Sequence, residues 1–307
     1  MSVDVSPKAA ESGHDRAPRV RVLRSADLPA VGDIFREAFN QIYIRRGFEK
    51  VVTDPDTGLA IARAYLAHDP EHCLVVESEG VVAGSAFLHP RGNVAGAGPI
   101  TVAPALQGSG LGSLLVDELC RRSDALGVPS LRLIQDAFNE EAYALYSSRG
   151  FVARTVFARA SFRSEGAAKP ILSRGARFSD LPRIGSLEQD MLGFARRRDY
   201  ELLRRLGEIR VLEGRDGLEG WIARMVQGRA AAIGPVLSRS KAGLEQLLLD
   251  ATSDLAAGTE VRFLLPSGCR VSVPGRVRLH SLCNYMVRGS FAGLAPNYIP
   301  TLFPESG

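Results

Sequence analysis

GPITVAPALQGSGLGSLL, residues Gly98 to Leu115, sets four glycines around one glutamine where a β-rich stretch gives way to a leucine-rich helical one. The first N–H groups of a helix entered this way lack intrahelical partners, and the aligned peptide dipoles add partial positive charge there. The position suits a phosphate or pyrophosphate. Gly108, Gly110 and Gly112 let the backbone close around such a ligand without side-chain obstruction, and Gln107 offers an amide donor. A glycine turn can also do no more than pack a helix on a sheet, so the context decides. A nucleotide-triphosphatase loop needs a Gly-Lys-Ser/Thr end, and this stretch has no lysine. A dinucleotide loop, Gly-x-Gly-x-x-Gly, meets Ser113 where its third glycine belongs, although an acid, Asp136, does follow the next strand.

Upstream of the loop, Val20–Leu23 reads as a short strand, followed by a helix that Ser25 or Asp27 can cap, with Pro29 in its first turn. Asp56–His68 reads as a second helix. CLVVES and VVAGSAFLH are β-branched strands joined by a tight turn at Ser78, Glu79 and Gly80, and GPITV continues the sheet. Downstream follow an amphipathic helix in GLGSLLVDELCRRSDAL, a buried strand SLRLIQ, a helix in NEEAYALYSSRG and an alternating strand FVARTVFARASF. Hairpins first and a βαβ-like crossover after them define a mixed, mostly antiparallel α/β sheet with helices on both faces.

Within that frame, Gln107-x-x-Gly110-x-Gly112, led in by ITVAP and followed by LGSLLVDEL, is similar to the acetyl-CoA loop of the GCN5-related N-acetyltransferase (GNAT) superfamily. The stretch NEEAYALYSSRGF, Asn139 to Phe151, resembles that family's second diagnostic segment, and the likeness spans about Val20 to Phe162. It implies that Thr101 and Val102 form the strand edge that pairs with the pantetheine arm, with the Val102 amide polarising the thioester carbonyl. It implies that backbone N–H groups of Gly108, Ser109, Gly110, Leu111 and Gly112, with Ser113 assisting, hold the pyrophosphate, and that Asn139 touches the pantetheine arm. Tyr146 is then the candidate general acid for the departing thiolate. Asn139 and Tyr146 lie about two helical turns apart, hence on nearly one face, with small Ala142 between them. Tyr146 also fits as a core aromatic beside Phe151, and Tyr143 is the obvious substitute acid. No general base stands out; Glu77, Asp136 and His89 lie near strand ends and read more simply as surface residues.

The chain repeats itself. VVESEGVVAG (Val75–Gly84) returns as VLEGRDGLEG (Val211–Gly220), AGAGPITV (Ala95–Val102) returns as AAIGPVLS (Ala231–Ser238), and RSADLPAVGDIF (Arg24–Phe35) returns as RFSDLPRIGSLE (Arg177–Glu188). Such a period is too long for a solenoid and reads as duplication of a whole domain. The expected organisation is a polar lead-in at 1–19, a catalytic domain at 20–165, a boundary near 164–169 and a degenerate GNAT-like copy at 170–307. The second copy lacks both the glycine loop, keeping only Gly243, and the Asn-x-x-Ala-x-x-x-Tyr stretch. It resembles the inactive partner domain of tandem acetyltransferases, with a role in walling the acceptor pocket or in structure. Asp190, Arg196, Arg197 and Arg198 there either face an acceptor or form a solvated helix face, and Trp221 either lines a pocket or fills the core.

Composition bounds the rest. The 307 residues are 45% hydrophobic and 23% charged, with formal net charge +4. No apolar run reaches the roughly 18 residues of a membrane span, and basic residues are dispersed among acids rather than gathered in a stripe. The lead-in lacks a signal-peptide core, so a cytoplasmic location is expected. Cys73, Cys120, Cys269 and Cys283 show neither CxxC spacing nor a histidine partner, which points to buried free thiols and no metal. The reading is an acetyl-CoA-dependent N-acetyltransferase acting on a small-molecule primary amine, without nucleic-acid or membrane partners, as a pseudo-dimeric monomer or a homodimer. A non-catalytic acyl-CoA sensor and a protein or peptide N-acetyltransferase are the alternatives.

Overall fold

A computed structural model describes residues 17–166, 171–269, 271–273 and 275–300; most of the lead-in and residues 167–169 of the expected boundary lie outside them. The first copy runs β1 (Arg19–Val22), α1 (Leu28–Arg45), α2 (Thr57–His68), β2 (Cys73–Ser78), β3 (Val81–Arg91), β4 (Val94–Val102), α3 (Leu111–Ala125), β5 (Ser130–Asp136), α4 (Glu140–Ser147) and β6 (Val152–Arg163). The second runs β7 (Arg174–Gly175), α5 (Leu181–Leu192), α6 (Asp199–Leu206), β8 (Glu208–Gly214), β9 (Gly217–Gln227), β10 (Ala230–Ser238), α7 (Lys241–Asp250), β11 (Glu260–Pro266) and β12 (Arg278–Gly289), with β13 (Tyr298–Ile299) against β10. Among the described residues between β11 and β12 there is no helix, so α4 has no counterpart.

Local chemistry repeats with the topology. Arg21 bridges Asp27 and Glu77, and Arg174 bridges Asp180 and Glu213, so each copy ties its helical entry to its second strand by one guanidinium. This also corrects the expected cap of α1. Ser25–Asp27 form a 3-10 turn, and the Asp27 carboxylate turns back to accept from the Arg24 amide at 2.7 Å and from Arg21, leaving the first turn of α1 uncapped by a side chain. The hydrogen bond from Arg21 holds the Asp27 carboxyl below its ordinary range. Pro29 sits in the first turn of α1, where its missing N–H costs nothing. Glu79 and Gly80 both take positive φ, as a tight two-residue hairpin turn requires.

Thirteen strands form one sheet, in the order β1-β2-β3-β4-β5-β12-β6-β11-β10-β9-β8-β7, with β13 alongside β10. The last strands of the two copies are exchanged: β12 lies against β5 of the first copy, and β6 against β11 of the second. The two exchanged strands also pair with each other, through Ala158↔Leu282 and Val156↔Asn284, two pairings that an internal two-fold axis interchanges.

The cores follow the exchange. Leu111, Leu115 and Leu119 of α3 pack on Leu74, Leu88 and Leu133, and Met286 of β12 completes that cluster. Ala160 and Phe162 of β6 are reciprocally part of the cluster built on Leu244, Leu247 and Leu248 of α7. Burying a side chain such as Met286 or Phe162 contributes roughly 1.5–3 kcal/mol, so each copy draws stability from the other's final strand. Elsewhere Asp199 of α6 reaches Arg91 of β3, and Leu202 joins the core beneath α2. Trp221 is fully buried in a core cluster with Tyr200 and Leu237. No helix among the described residues is long and apolar enough to cross a membrane. The four cysteines are unbridged, three of them buried and Cys269 half-buried.

Candidate active site

The site begins where two parallel strands part. β4 and β5 pair only through Ala95–Leu131 and Gly96–Arg132, and the remainder of β4 runs free of β5. Ala103 donates its amide to Ala83 on β3 at 2.9 Å. Antiparallel ladders alternate, so Thr101 also faces β3 while the backbone groups of Val102 and Ile100 face the gap. The structure thus bears on the strand-edge expectation residue by residue. Val102 presents its amide to the gap. Thr101 does not; its hydroxyl is buried against Ser85 at 3.0 Å. Ile100, which the sequence reading passed over, has the right parity.

Beyond β4 the chain makes a 3-10 turn (Pro104–Leu106) and enters the glycine loop. Gly108 and Gly110 have φ of +82° and +89°, and a Cβ at either would meet nothing within 4 Å. Positive φ there demands glycine, and the open space above makes a shallow cradle. Gly110 is the N-cap of α3, and no side chain caps the helix. The amides of Leu111, Gly112 and Ser113 follow at its first positions, with the Leu111 side chain buried in the core. Ser109 turns its hydroxyl to the Leu106 carbonyl at 2.6 Å. Gln107 was expected to donate towards the ligand; its Nε2 instead donates to the Val102 carbonyl at 3.2 Å, bracing the loop against the strand end. A Cβ on Gly112 would lie 3.4 Å from Leu145, so that glycine sets how closely α4 approaches α3.

On α4, Asn139 is the N-cap, and its Oδ1 accepts the Ala142 amide at 3.1 Å, leaving its Nδ2 as the donor end. Tyr146 is half-buried against the first core, its ring 5.9 Å from that of Phe151. Burial, followed by the nearby charge of Asp136, raises the Tyr146 hydroxyl above its ordinary value, so the group carries its proton at neutral pH. Tyr143 is exposed.

The three base candidates are all engaged. Glu77 accepts from Arg19 and Arg21 at the far edge of the sheet. Buried His89 meets the Gly98 carbonyl at 3.0 Å, which requires Nε2 to be the protonated nitrogen. Burial and then the Arg91 charge push this histidine down to about 4, keeping it neutral. Asp136, at the end of β5, accepts from Tyr43 at 3.2 Å, Arg159 at 2.8 Å and Cys283 at 3.3 Å. Burial pushes the Cys283 thiol up to about 12, so it is no nucleophile. Tyr43 stacks edge-on with Phe138 and Phe48 beside this cluster. Sequence reasoning missed Tyr43, Arg159 and Cys283, because no local motif links three separate elements.

The equivalent place in the second copy is filled by the protein itself. Glu219, which stands where the first copy has Ala83, accepts from the Ser240 hydroxyl at 2.6 Å, the Ser240 amide at 3.0 Å and the Ser238 hydroxyl at 3.1 Å. Ser240 in turn caps α7 by accepting the Gly243 amide at 3.0 Å. A Cβ on Gly243 would fall 2.3 Å from Ser238 Oγ, so this glycine serves packing. The second-copy charges divide between core and surface. Arg196, expected on a solvated face or at an acceptor, is buried on Glu188 and Tyr298, because Glu188 is itself buried and needs a cation. Asp190 is exposed opposite Arg239, Arg198 meets Asp69, and Arg197 is exposed over Gly185.

A splayed β4–β5 pair, an uncapped glycine-loop helix and a half-buried phenol on the next helix thus lie together at one end of the first copy's sheet. Residues 30–151 match the model of the Acetyltransferase (GNAT) family, so the first copy carries an acetyltransferase domain of that family, whose donor is acetyl-CoA. The whole fold is shared with a presumed acetyltransferase from Pyrococcus horikoshii, at TM-score 0.78 and 18% identity over 98% of this chain and 99% of that one. It is also shared with a GCN5-related N-acetyltransferase from Sphaerobacter thermophilus, at TM-score 0.60 and 16% identity over 91% of this chain and 98% of that one. A further GCN5-related N-acetyltransferase, from Anabaena variabilis, matches at TM-score 0.59 and 13% identity, over 88% of this chain and 72% of that one. No curated protein matches the chain in sequence.

Proposed function

We propose that the protein acetylates a primary amine of a small molecule by direct attack in a ternary complex, using one donor site, in the first copy. The observation that carries the single site is the contrast between two helix starts. That of α3 is uncapped behind two positive-φ glycines, whereas that of α7 is saturated by Ser240 and Glu219.

The donor supplies a thioester whose carbonyl accepts the amine and whose sulfur leaves as a thiolate. Backbone amides of Gly108, Gly110, Leu111 and Gly112, with Ser113, hold its pyrophosphate, the Ser109 amide being turned back to the Leu106 carbonyl, while the gap-facing backbone of Ile100 orients the arm between β4 and β5. The Val102 amide polarises the thioester carbonyl. Asn139 Nδ2 donates to the arm. Tyr146 holds its proton at Oη until the sulfur departs, and burial keeps it there at working pH. Because Glu77, His89 and Asp136 are all engaged, solvent water takes up the amine proton. The same observation supports a second reading, an acyl-CoA sensor that binds without turnover.

Calorimetry of acetyl-CoA on the wild type and on Gly110→Glu tests the assignment. The expected result is one donor per chain, lost in the variant, whose added carboxylate meets the pyrophosphate and whose Cβ disfavours the positive φ. Two donors per chain, or binding unaffected by the substitution, would overturn it.

A further inference from the structure

The exchanged strand β12 brings more than packing to the first copy. On β5, Gln135 is buried, and its Nε2 donates to two backbone carbonyls, those of Asp136 and Asn139, each at 2.6 Å. These are the last carbonyl of β5 and that of the N-cap of α4. With the amide nitrogen committed, Gln135 Oε1 must accept, and it does so from Asn284 Nδ2 at 2.8 Å. Asn284 belongs to β12 and is the register partner of Gln135. A chain of side-chain hydrogen bonds therefore runs from the second copy to the start of the helix that carries Asn139 and Tyr146.

The internal two-fold supplies a control. The pair related to Gln135↔Asn284 is Leu265↔Ala158, at the junction of β11 and β6. There the side chains are apolar, and no α4-like helix follows β11 among the described residues. Likewise Asp136↔Cys283 has as its counterpart Pro266↔Phe157. Polar pairing occurs on the side with a helix to hold and is missing on the side without one.

We propose that Asn284 is a positioning residue of the first copy's active site. Acting through Gln135, it fixes the N-cap of α4 and with it the placement of Asn139 and Tyr146. The catalytic part of this inference rests on the donor-site reading above; the structural part does not. The degenerate copy thus contributes a polar side chain to the working copy's geometry.

Hydrogen exchange on the full chain, comparing wild type, Asn284→Ala, Asn284→Asp, Gln135→Ala and the Gln135→Ala/Asn284→Ala double variant, reads the positioning directly. Amides of α4 are expected to exchange about fivefold faster in each variant, the change one net hydrogen bond supports, with α3 and β8–β10 unchanged. The double variant should be no worse than Gln135→Ala alone, since both act along one path. Asn284→Asp keeps the shape and presents an acceptor to an acceptor, so it should loosen α4 as Ala does. A silent Asp variant beside a loosened Ala variant would mean packing only, and would overturn the proposal, as would unchanged α4 exchange or a sheet-wide rise. In thiol release from acetyl-CoA with a saturating amine, kcat should fall while the acetyl-CoA Kd shifts less than about threefold. If the wild type binds no acetyl-CoA, the donor reading fails and the exchange data still decide the role of Asn284.

Discussion

Tyr146 is the side chain to which the proposal gives two roles, in packing and in chemistry. Its ring packs with Phe151 on the first core, and the same burial raises its hydroxyl above the ordinary value. Removing only the oxygen separates the two roles. Tyr146→Phe should retain the fold and the acetyl-CoA Kd while lowering kcat by about 10²–10³-fold, as loss of a general acid does. Equal kcat in a steady-state assay would reduce Tyr146 to a packing residue and make exposed Tyr143 the group to test. The glycines at positions 108 and 110 were legible from sequence because positive φ is a backbone demand with a residue-type signature. The roles of Gln107 and Thr101 were not, since residue type does not fix whether an amide reaches outward or back to its own chain, and strand parity depends on the partner's register.

Among the elements, α3 and α7 share an ancestry of position but not of chemistry. Glu219→Ala removes the carboxylate that accepts three donors at the start of α7 while leaving the Ser240 cap in place, and should cost about 1 kcal/mol, the usual net scale of a hydrogen bond, seen as a lower Tm. The donor stoichiometry should stay at one, because the tight packing around Gly243 remains. A second acetyl-CoA bound by this variant would show that Glu219 alone silences the copy. Sequence periodicity located the helices and strands of the first copy closely, since most have a clear apolar face and glycine or proline punctuation. It misjudged the entry to α1, where Asp27 has the residue type of a cap but Arg21 draws its carboxylate away. The missing α4 of the second copy was legible from the lost Asn-Ala-Tyr spacing. The filled anion site was not, because Glu219 lies on a strand far from α7 in the chain.

For the whole molecule, the repeated segments pointed to a duplication, but the exchange of β6 and β12 was not legible in them. Both strands alternate or run apolar in ways that suit either neighbour, and pattern fixes which face is buried rather than which strand lies alongside. The exchange predicts that the halves are not independent. Residues 1–166 produced alone should be insoluble or molten by near-UV circular dichroism, since β5 lacks β12, and Met286 is missing from the core. Co-production with residues 167–307 should restore a soluble, acetyl-CoA-binding complex. A well-folded, active first half on its own would show that β6 can close its own sheet.

The exchanged strands also impose a timetable on synthesis. When β5 and β6 have left the ribosome, β12 is still to be made, more than a hundred residues further along the chain. At about 5–20 residues per second, the edge of β5 waits on the order of ten seconds for its native neighbour. Throughout that interval β6 is the strand at hand, with the same hand and direction as the absent one. The nascent first copy therefore meets a plausible wrong partner before the right one exists, and its final architecture depends on giving that partner up to the second copy.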